Sequence, residues 1–364
     1  MIQKQIAYRY YSDNDLNELS RFLGKYLWTT SYEPPSQWEA LFRWKHLNNP
    51  FGKSEMAVAV DRSGKIMAFH AGMHWELITG KQVIKCLRWT DPVSDPDLRS
   101  QEIGAFTLVA LAAKLNEKAR LQNISLYFGS GVGKYSLVFT ANFGWSEVER
   151  LWPFVRVDYH RALSSVIRSK LGRQRGNGYE TKDYFRRDPV PVTTLLDHAG
   201  IESLLRTDVQ LEDSRLLRTC KTLRYLRWRY AEHPTLTHYT LFRERNGELD
   251  GAIIFRAGND LGLKSVVIEE IFLTSPARAV GLLHELHETV AADFIFTRFT
   301  SGSRKYDLFR KSGFGTRSRI MRYYYSRGDI LLDRLLVYSL DETISVDASL
   351  AKNWALSMGD LEWL

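Results

Sequence analysis

Arg43-Trp44-Lys45-His46-Leu47-Asn48-Asn49-Pro50 recurs later in the chain as Arg227-Trp228-Arg229-Tyr230-Ala231-Glu232-His233-Pro234. The same succession follows each stretch. An aliphatic strand leads to a Gly-bearing turn, Asp61-Arg62-Ser63-Gly64-Lys65 in the first case and Arg245-Asn246-Gly247-Glu248 in the second. A second strand, a long helical stretch and a closing Gly-aromatic pair come next, Gly144-Trp145 and Gly313-Phe314. The octapeptide match is short, but shared order over about 100 residues reads as an internal duplication. The chain is therefore predicted to hold two copies of one domain.

Length agrees with this. A chain of 364 residues exceeds one ordinary core and suits two domains of about 150 to 190 residues. Apolar content of 44% with 13% aromatic residues excludes a disordered chain, and no apolar run approaches the roughly 18 residues of a membrane span. The start, Met1-Ile2-Gln3-Lys4-Gln5-Ile6, alternates like a strand and lacks the features of a signal peptide, which predicts a cytoplasmic protein. Cys86 and Cys220 are the two cysteines, in unmatched places, so neither a disulfide framework nor a metal cluster is expected and both read as buried thiols. The net charge of +8 suggests an anionic partner. Much of the excess lies between Arg161 and Arg187, a Gly- and Arg-rich run expected to be an exposed linker over residues 161–190 between copies at 1–160 and 191–364.

Periodicity then places the elements. Met56–Val60 and Lys65–Met73 read as an antiparallel pair about Gly64, and Val83–Trp89 as the next strand. An amphipathic helix is expected from about Phe106 to Arg120, and a strand over Ile124–Phe128 that ends at the turn Gly129-Ser130-Gly131-Val132-Gly133. In the second copy a helix is expected over Arg215–Tyr230, strands at His238–Arg243, Gly251–Arg256 and Val266–Leu273, and a helix near Ala277–Ala292. This order predicts an α+β fold in duplicate, each half a mixed, mostly antiparallel sheet flanked by helices.

The stretch Val93 to Ala105, in which a strand gives way to an Arg-bearing loop closing on Ile103-Gly104 at a helix start, resembles the acyl-CoA-binding motif of the GNAT N-acetyltransferase superfamily. That motif typically reads Arg-Gly-x-Gly-Ile-Gly. Here it is Arg99-Ser100-Gln101-Glu102-Ile103-Gly104, so Arg99, Ile103 and Gly104 match and Glu102 stands where a diagnostic glycine would. With the Gly-aromatic pairs, the Asn49-Pro50-Phe51-Gly52 segment and the tail Asn353 to Asp360, the chain is similar to tandem GNAT proteins encoded with bacterial surface-polysaccharide genes. The resemblance implies acetyl-CoA as cosubstrate, bound by Val93, Ser94, Arg99, Ser100, Gln101, Glu102, Ile103, Gly104 and Ala105. Its physical sense is that a helix N-terminus offers a diphosphate converging N–H donors and the positive end of a dipole. The equivalent loop of the second copy, Ser275-Pro276-Ala277-Arg278-Ala279-Val280-Gly281, lacks the spaced glycines and is read as structural.

Acyl transfer to an amine needs a base, a polarised thioester carbonyl and often an acid for the thiolate. The resemblance assigns the carbonyl to a backbone amide of Val93 or Ser94. It places the acid at a position that is Thr140 here and Phe309 in the second copy, not the expected tyrosine, so either the thiolate leaves through water or Tyr135 substitutes. Asp91, at the end of the strand before the loop, is the candidate base, with His74 and Glu76 behind it. No Ser-His-Asp pattern, metal-ligand spacing or Walker loop is found in the sequence, and Gly129 to Gly133 lacks the Gly-Lys-Ser ending of a phosphate loop. Three functions fit. The first is an N-acyltransferase acting on an amine of a sugar nucleotide or other envelope precursor, a small and anionic acceptor. The second is a transferase of the tandem-GNAT kind that takes aminoacyl groups from tRNA, which the basic linker suits. The third is a pair of non-catalytic binding modules.

Overall fold

The computed structural model describes residues 6–28, 35–100, 103–131, 140, 143–170, 181–260, 263–316, 334–341 and 344–361. The first strands in chain order are β1 (Ala7–Tyr10), β2 (Glu55–Val60), β3 (Ile66–Thr79), β4 (Gln82–Ser94), β5 (Leu126–Gly131) and β6 (Ser146–Arg150). They are followed by β7 (Phe154–Val157), β8 (Val190–Pro191), β9 (Arg218–Thr219) and β10 (His238–Arg245). The last four are β11 (Glu248–Asp260), β12 (Leu263–Leu273), β13 (Phe294–Thr297) and β14 (Arg334–Ser339). Among the described residues they form two sheets, one ordered β1-β2-β3-β4-β5-β14-β6 with β9 added to β3, the other β7-β13-β12-β11-β10-β8. Each sheet has one parallel ladder, β4 with β5 and β12 with β13. The fold is α+β, two mixed and mostly antiparallel sheets flanked by helices.

The alternation of β2 explains the layers. Ala57 and Ala59, with Ala68 of β3, face the helix Gly104–Leu121 and pack on its Leu108, Leu111 and Leu115, small strand residues letting the helix lie close. The intervening Met56, Val58 and Val60 face the opposite way, into a cluster that also holds Phe42, Trp44, Leu195, Leu204, Leu226 and Trp228. One core thus runs through both halves.

At its centre lie the two copies of the opening octapeptide. Each makes a wide helical turn in which an amide bonds five residues back, Asn48 to the Arg43 carbonyl at 2.8 Å and Glu232 to the Arg227 carbonyl at 2.9 Å. Trp44 and Trp228 stack with centroids 4.9 Å apart and planes 14° from parallel. Each indole donates to the other's backbone, Trp44 Nε1 to the Trp228 carbonyl at 2.7 Å and Trp228 Nε1 to the Trp44 carbonyl at 2.9 Å.

The halves also exchange strands. β14, from the C-terminal part of the chain, pairs with β5 and β6 of the first sheet, and β7 pairs with β13 of the second, with Val155 bridging Gly315. Phe154–Val157 and Arg334–Ser339 therefore lie across the sequence divisions at 160 and 190.

Several local expectations change. Gly129-Ser130-Gly131 belongs to β5 and not to a turn, because Leu336, Leu335 and Arg334 of β14 supply its ladder. Arg215–Tyr230 is not one helix: Arg218–Thr219 pairs with Leu77 and Ile78, and Cys220 N donates to the Glu76 carbonyl at 3.0 Å, so sheet bonding overrides helical periodicity. Tyr159–Lys170, most of which falls within the expected linker over 161–190, is helical, and residues 171–180 lie outside the described ones. Cys86 is buried as expected, whereas Cys220 is half-buried. No helix among the described residues is long and apolar enough to cross a membrane, and no His, Cys, Asp and Glu group among them could hold a metal ion.

Candidate active site

The parallel ladder between β4 and β5 is short, running from Cys86 opposite Leu126 to Arg88 opposite Phe128. Beyond it β4 follows β3 and β5 follows β14, so the strands part. The mouth of this splay is shaped by a bulge in β4. Phe69 faces Val93 and Ala71 faces Thr90, which leaves His70 opposite both Asp91 and Pro92. Asp91 takes φ 54°, a left-handed conformation uncommon outside glycine and asparagine. Pro92 carries no N–H, so the bulge strands no donor there.

Asp91 is sealed. Its Oδ1 accepts from Lys45 Nζ at 2.8 Å and Thr90 Oγ1 at 3.2 Å, and its Oδ2 lies 2.9 Å from His46 Nε2. Exposure is 2% for Lys45, 0% for His46 and 2% for Asp91. Burial pushes the Asp91 pKa up, but the Lys45 ammonium and the His46 bond outweigh it and hold the carboxyl well below the usual carboxylate range. Burial disfavours the charged His46 ring. A neutral ring that donates from Nε2 to Asp91 must accept at Nδ1, where Ser54 Oγ lies at 3.1 Å.

Strand alternation fixes which β4 amide enters the splay. Asp95 N donates to the Met67 carbonyl of β3 at 2.7 Å, so the Val93 amide also faces β3 and the Ser94 amide faces the β5 side. The Ser94 hydroxyl is buried and has no hydrogen-bond partner among the described residues. It sits against the start of the helix Gly104–Leu121, where a Cβ on Gly104 would come within 2.9 Å of Ser94 Oγ and 3.1 Å of Arg99 Cγ. No side chain caps this helix at Ile103. Ser94, Arg99 and Gly104 thus meet at the start of this helix, with Arg99 exposed on the short helix Pro96–Ser100 and Ala105 also exposed. Helix-start amides and a guanidinium are donors that an anionic group needs, so these residues suit the diphosphate of an acyl-CoA.

The remaining candidates are placed as follows. Val93 puts its side chain into the core. Ile103 is half-buried, and its amide donates to the Leu98 carbonyl at 3.1 Å. Gln101, Glu102 and Tyr135 lie outside the described residues. His74 is held by Glu55, Nε2 to Oε1 at 3.2 Å. Burial raises the Glu55 pKa, but His74, Lys118 and Gln122 together hold it down at about 2. Glu76 lies opposite Lys85. Lys45 and His46, the partners of Asp91, are not among the sequence candidates although both lie within the opening octapeptide. The signal was the difference between copies, since Arg229 and Tyr230 stand in their places.

The second sheet parts at the corresponding point, past Val267 and Phe296, and also carries a bulge. Its splay is crossed by the chain's own tail. Thr300 N donates to the Leu356 carbonyl at 3.1 Å, Leu356 N to Thr300 Oγ1 at 2.8 Å, and Ser357 Oγ to Glu270 of β12 at 2.9 Å. Lys221 ties the tail down through Glu270 at 2.7 Å and Asp360 at 2.9 Å. Although burial lowers it, these two carboxylates push the Lys221 pKa up to about 12. Arg278, the counterpart of Arg99, is ion-paired with Asp250 at 2.9 Å. The tail goes on to the first sheet, where Ser130 Oγ donates to the Leu361 carbonyl at 3.0 Å.

No protein-family model matches the sequence, and no curated protein matches it in sequence. Solved structures do match its fold. A GCN5-related N-acetyltransferase from Anabaena variabilis superposes with a TM-score of 0.60 at 13% identity, over 98% of this chain and 84% of that one. Another from Kribbella flavida gives 0.56 at 12%, over 95% and 74%. Saccharomyces cerevisiae N-myristoyltransferase with bound myristoyl-CoA gives 0.57 at 10%, over 100% and 90%. At these identities the likeness is one of fold.

Proposed function

We propose that this chain is an acyl-CoA-dependent N-acyltransferase of the GNAT type, with one active centre at the first splay. The observation that carries this reading is the convergence of Ser94, Arg99 and Gly104 on an uncapped helix start beside parted strands. The fold shared with N-acetyltransferases and with an N-myristoyltransferase supports it. Amides at the start of the helix Gly104–Leu121 and the Arg99 guanidinium bind the diphosphate. The Ser94 amide points where a thioester carbonyl would lie, a donor set in place before charge develops. When bound, the acyl-CoA supplies the thioester, whose C–S bond breaks as the amine nitrogen bonds to the acyl carbon, and the proton the amine loses ends on the departing CoA thiolate. The tail across the second splay and the Arg278–Asp250 pair favour a structural role for the second copy.

Asp91 enters as a positioning residue in place of the base expected from sequence. Both oxygens are engaged, and a depressed pKa is the opposite of what a base working near neutral pH requires. The acid role of Tyr135 rests on sequence alone. The acceptor in this reading is an amine of a small anionic precursor such as a sugar nucleotide, consistent with the net charge of +8, and the place of action is the cytoplasm.

Calorimetry with acetyl-CoA and with longer acyl-CoAs tests the reading and the acyl length together. No binding of any of them at millimolar concentration overturns it and leaves the non-catalytic module. Steeply salt-dependent retention of tRNA in place of acyl-CoA would move the assignment to the aminoacyl-tRNA class.

A further inference from the structure

The first splay and the opening octapeptide are far apart in sequence, yet Lys45 and His46 both end on Asp91. All three side chains are buried, and Lys45, His46 and Thr90 engage both oxygens of the Asp91 carboxylate, whose backbone holds φ 54°. Among the described residues the other non-glycine positions with positive φ, Asn123 and Asn246, lie in exposed turns, whereas Asp91 is buried within a strand. Here the consequence lies three residues on, because the bulge at Asp91 and Pro92 sets which amide of the strand end turns away from β3. We propose that Lys45 and His46 act as a clamp that holds Asp91 left-handed, so that the Ser94 amide is aimed into the splay as donor to the acyl carbonyl. This rests on the acyltransferase reading for its ligand and on geometry alone for the clamp.

The second copy supplies an internal contrast. Its bulge falls between Ile254 and Phe255 of β11, where β12 carries one extra residue, Glu269. Arg256 bonds Glu269 at 2.9 Å, and Tyr230 donates to Glu270 at 2.8 Å. No residue of that bulge is among those with positive φ. The copy without Lys and His at these positions keeps an ordinary backbone, and its splay is the one crossed by the tail.

Two double variants separate the clamp from its charges. Lys45→Met with Asp91→Gly removes both ions yet leaves a residue that adopts positive φ without steric penalty. Lys45→Met with Asp91→Ala removes the same ions and adds only a Cβ. Crystal structures without ligand are expected to show residue 91 leaving the left-handed region in the Ala variant and staying there in the Gly variant. An Ala variant that keeps positive φ overturns the clamp, whatever any ligand does. If the Ala variant fails to fold while the Gly variant folds, the rest of the fold imposes the left-handed conformation and the clamp is overturned.

The second measurement is the infrared carbonyl band of 13C-labelled acetyl-CoA bound to each protein, alongside the affinity for CoA, which has no acyl carbonyl. The wild type and the Gly variant are expected to shift the band to lower frequency and to bind CoA alike, and the Ala variant to lose most of that shift. Equal band shifts in the Gly and Ala variants overturn the aiming role. A wild type that binds no CoA fails the acyltransferase reading instead, and the crystallographic arm still decides the clamp.

Discussion

Replacing Lys45 by Met should destabilise the protein by about 3–5 kcal/mol at neutral pH, the loss expected when one partner of a buried ion pair is removed and the other charge is left unpaired. The structure supports the upper part of that range. Both partners are 2% exposed and 2.8 Å apart, so solvent neither screens the pair nor reaches Asp91 once the ammonium is gone. The sign with pH follows from the same groups. In the wild type the Asp91 pKa is depressed, so its stabilising contribution is present above the unfolded value near 4 and is lost as pH falls through the folded value. Without Lys45 the burial that raises this pKa is opposed mainly by His46, and the folded value climbs above the unfolded one. The variant's deficit should therefore be full at neutral pH and shrink on acidification. Urea unfolding of both proteins across that range, read by the shift in midpoint at constant slope, measures the difference. A deficit under about 1 kcal/mol, or one that does not change with pH, would refute the claim that Asp91 is an ionised, clamped carboxylate.

Three other outcomes follow. Arg99→Ala should weaken acyl-CoA binding by about 1.5–3 kcal/mol, the worth of a charge-assisted hydrogen bond, whereas Arg278→Ala should leave it unchanged because that side chain is spent on Asp250; calorimetry giving the reverse pattern would put the active centre in the other half. Gly104→Ala should also reduce binding, since its Cβ would stand 2.9 Å from Ser94 Oγ and displace the hydroxyl or the loop. Trp44→Phe and Trp228→Phe should each cost about 1–3 kcal/mol by leaving the partner's carbonyl unpaired, and the double variant should fall short of the sum, a non-additivity that unfolding of all four proteins would reveal.

Much of the architecture was legible from local pattern. Alternation along Met56–Val60 set the two faces of β2, and a Gly-bearing turn marked each hairpin. In the second copy Asn246 and Gly247 both take the positive φ that a two-residue hairpin requires. The repeated octapeptide marked the two wide turns that stack at the centre of the core, and the Val93–Ala105 pattern led to the helix start where Ser94 and Gly104 meet.

Other features depended on partners distant in sequence. Which strand closes each sheet was hidden, because hydrophobic alternation in Phe154–Val157 or Arg334–Ser339 shows that a strand has a face and not which edge it will pair with. Gly129-Ser130-Gly131 looked like a turn for the same reason, its ladder coming from β14. Asp91 looked like a free carboxylate at a strand end. Only folding brings Lys45 and His46 against it, and the hydrogen bonds they make, together with the extra residue of the bulge, decide that it is an anchor. The sequence by itself thus determined elements, faces and the helix start at Gly104, all set by neighbours within a few residues. Tertiary structure decided strand order, the sealing of the second splay and the role of Asp91, because each depends on hydrogen bonds and burial between segments that carry no local mark of one another.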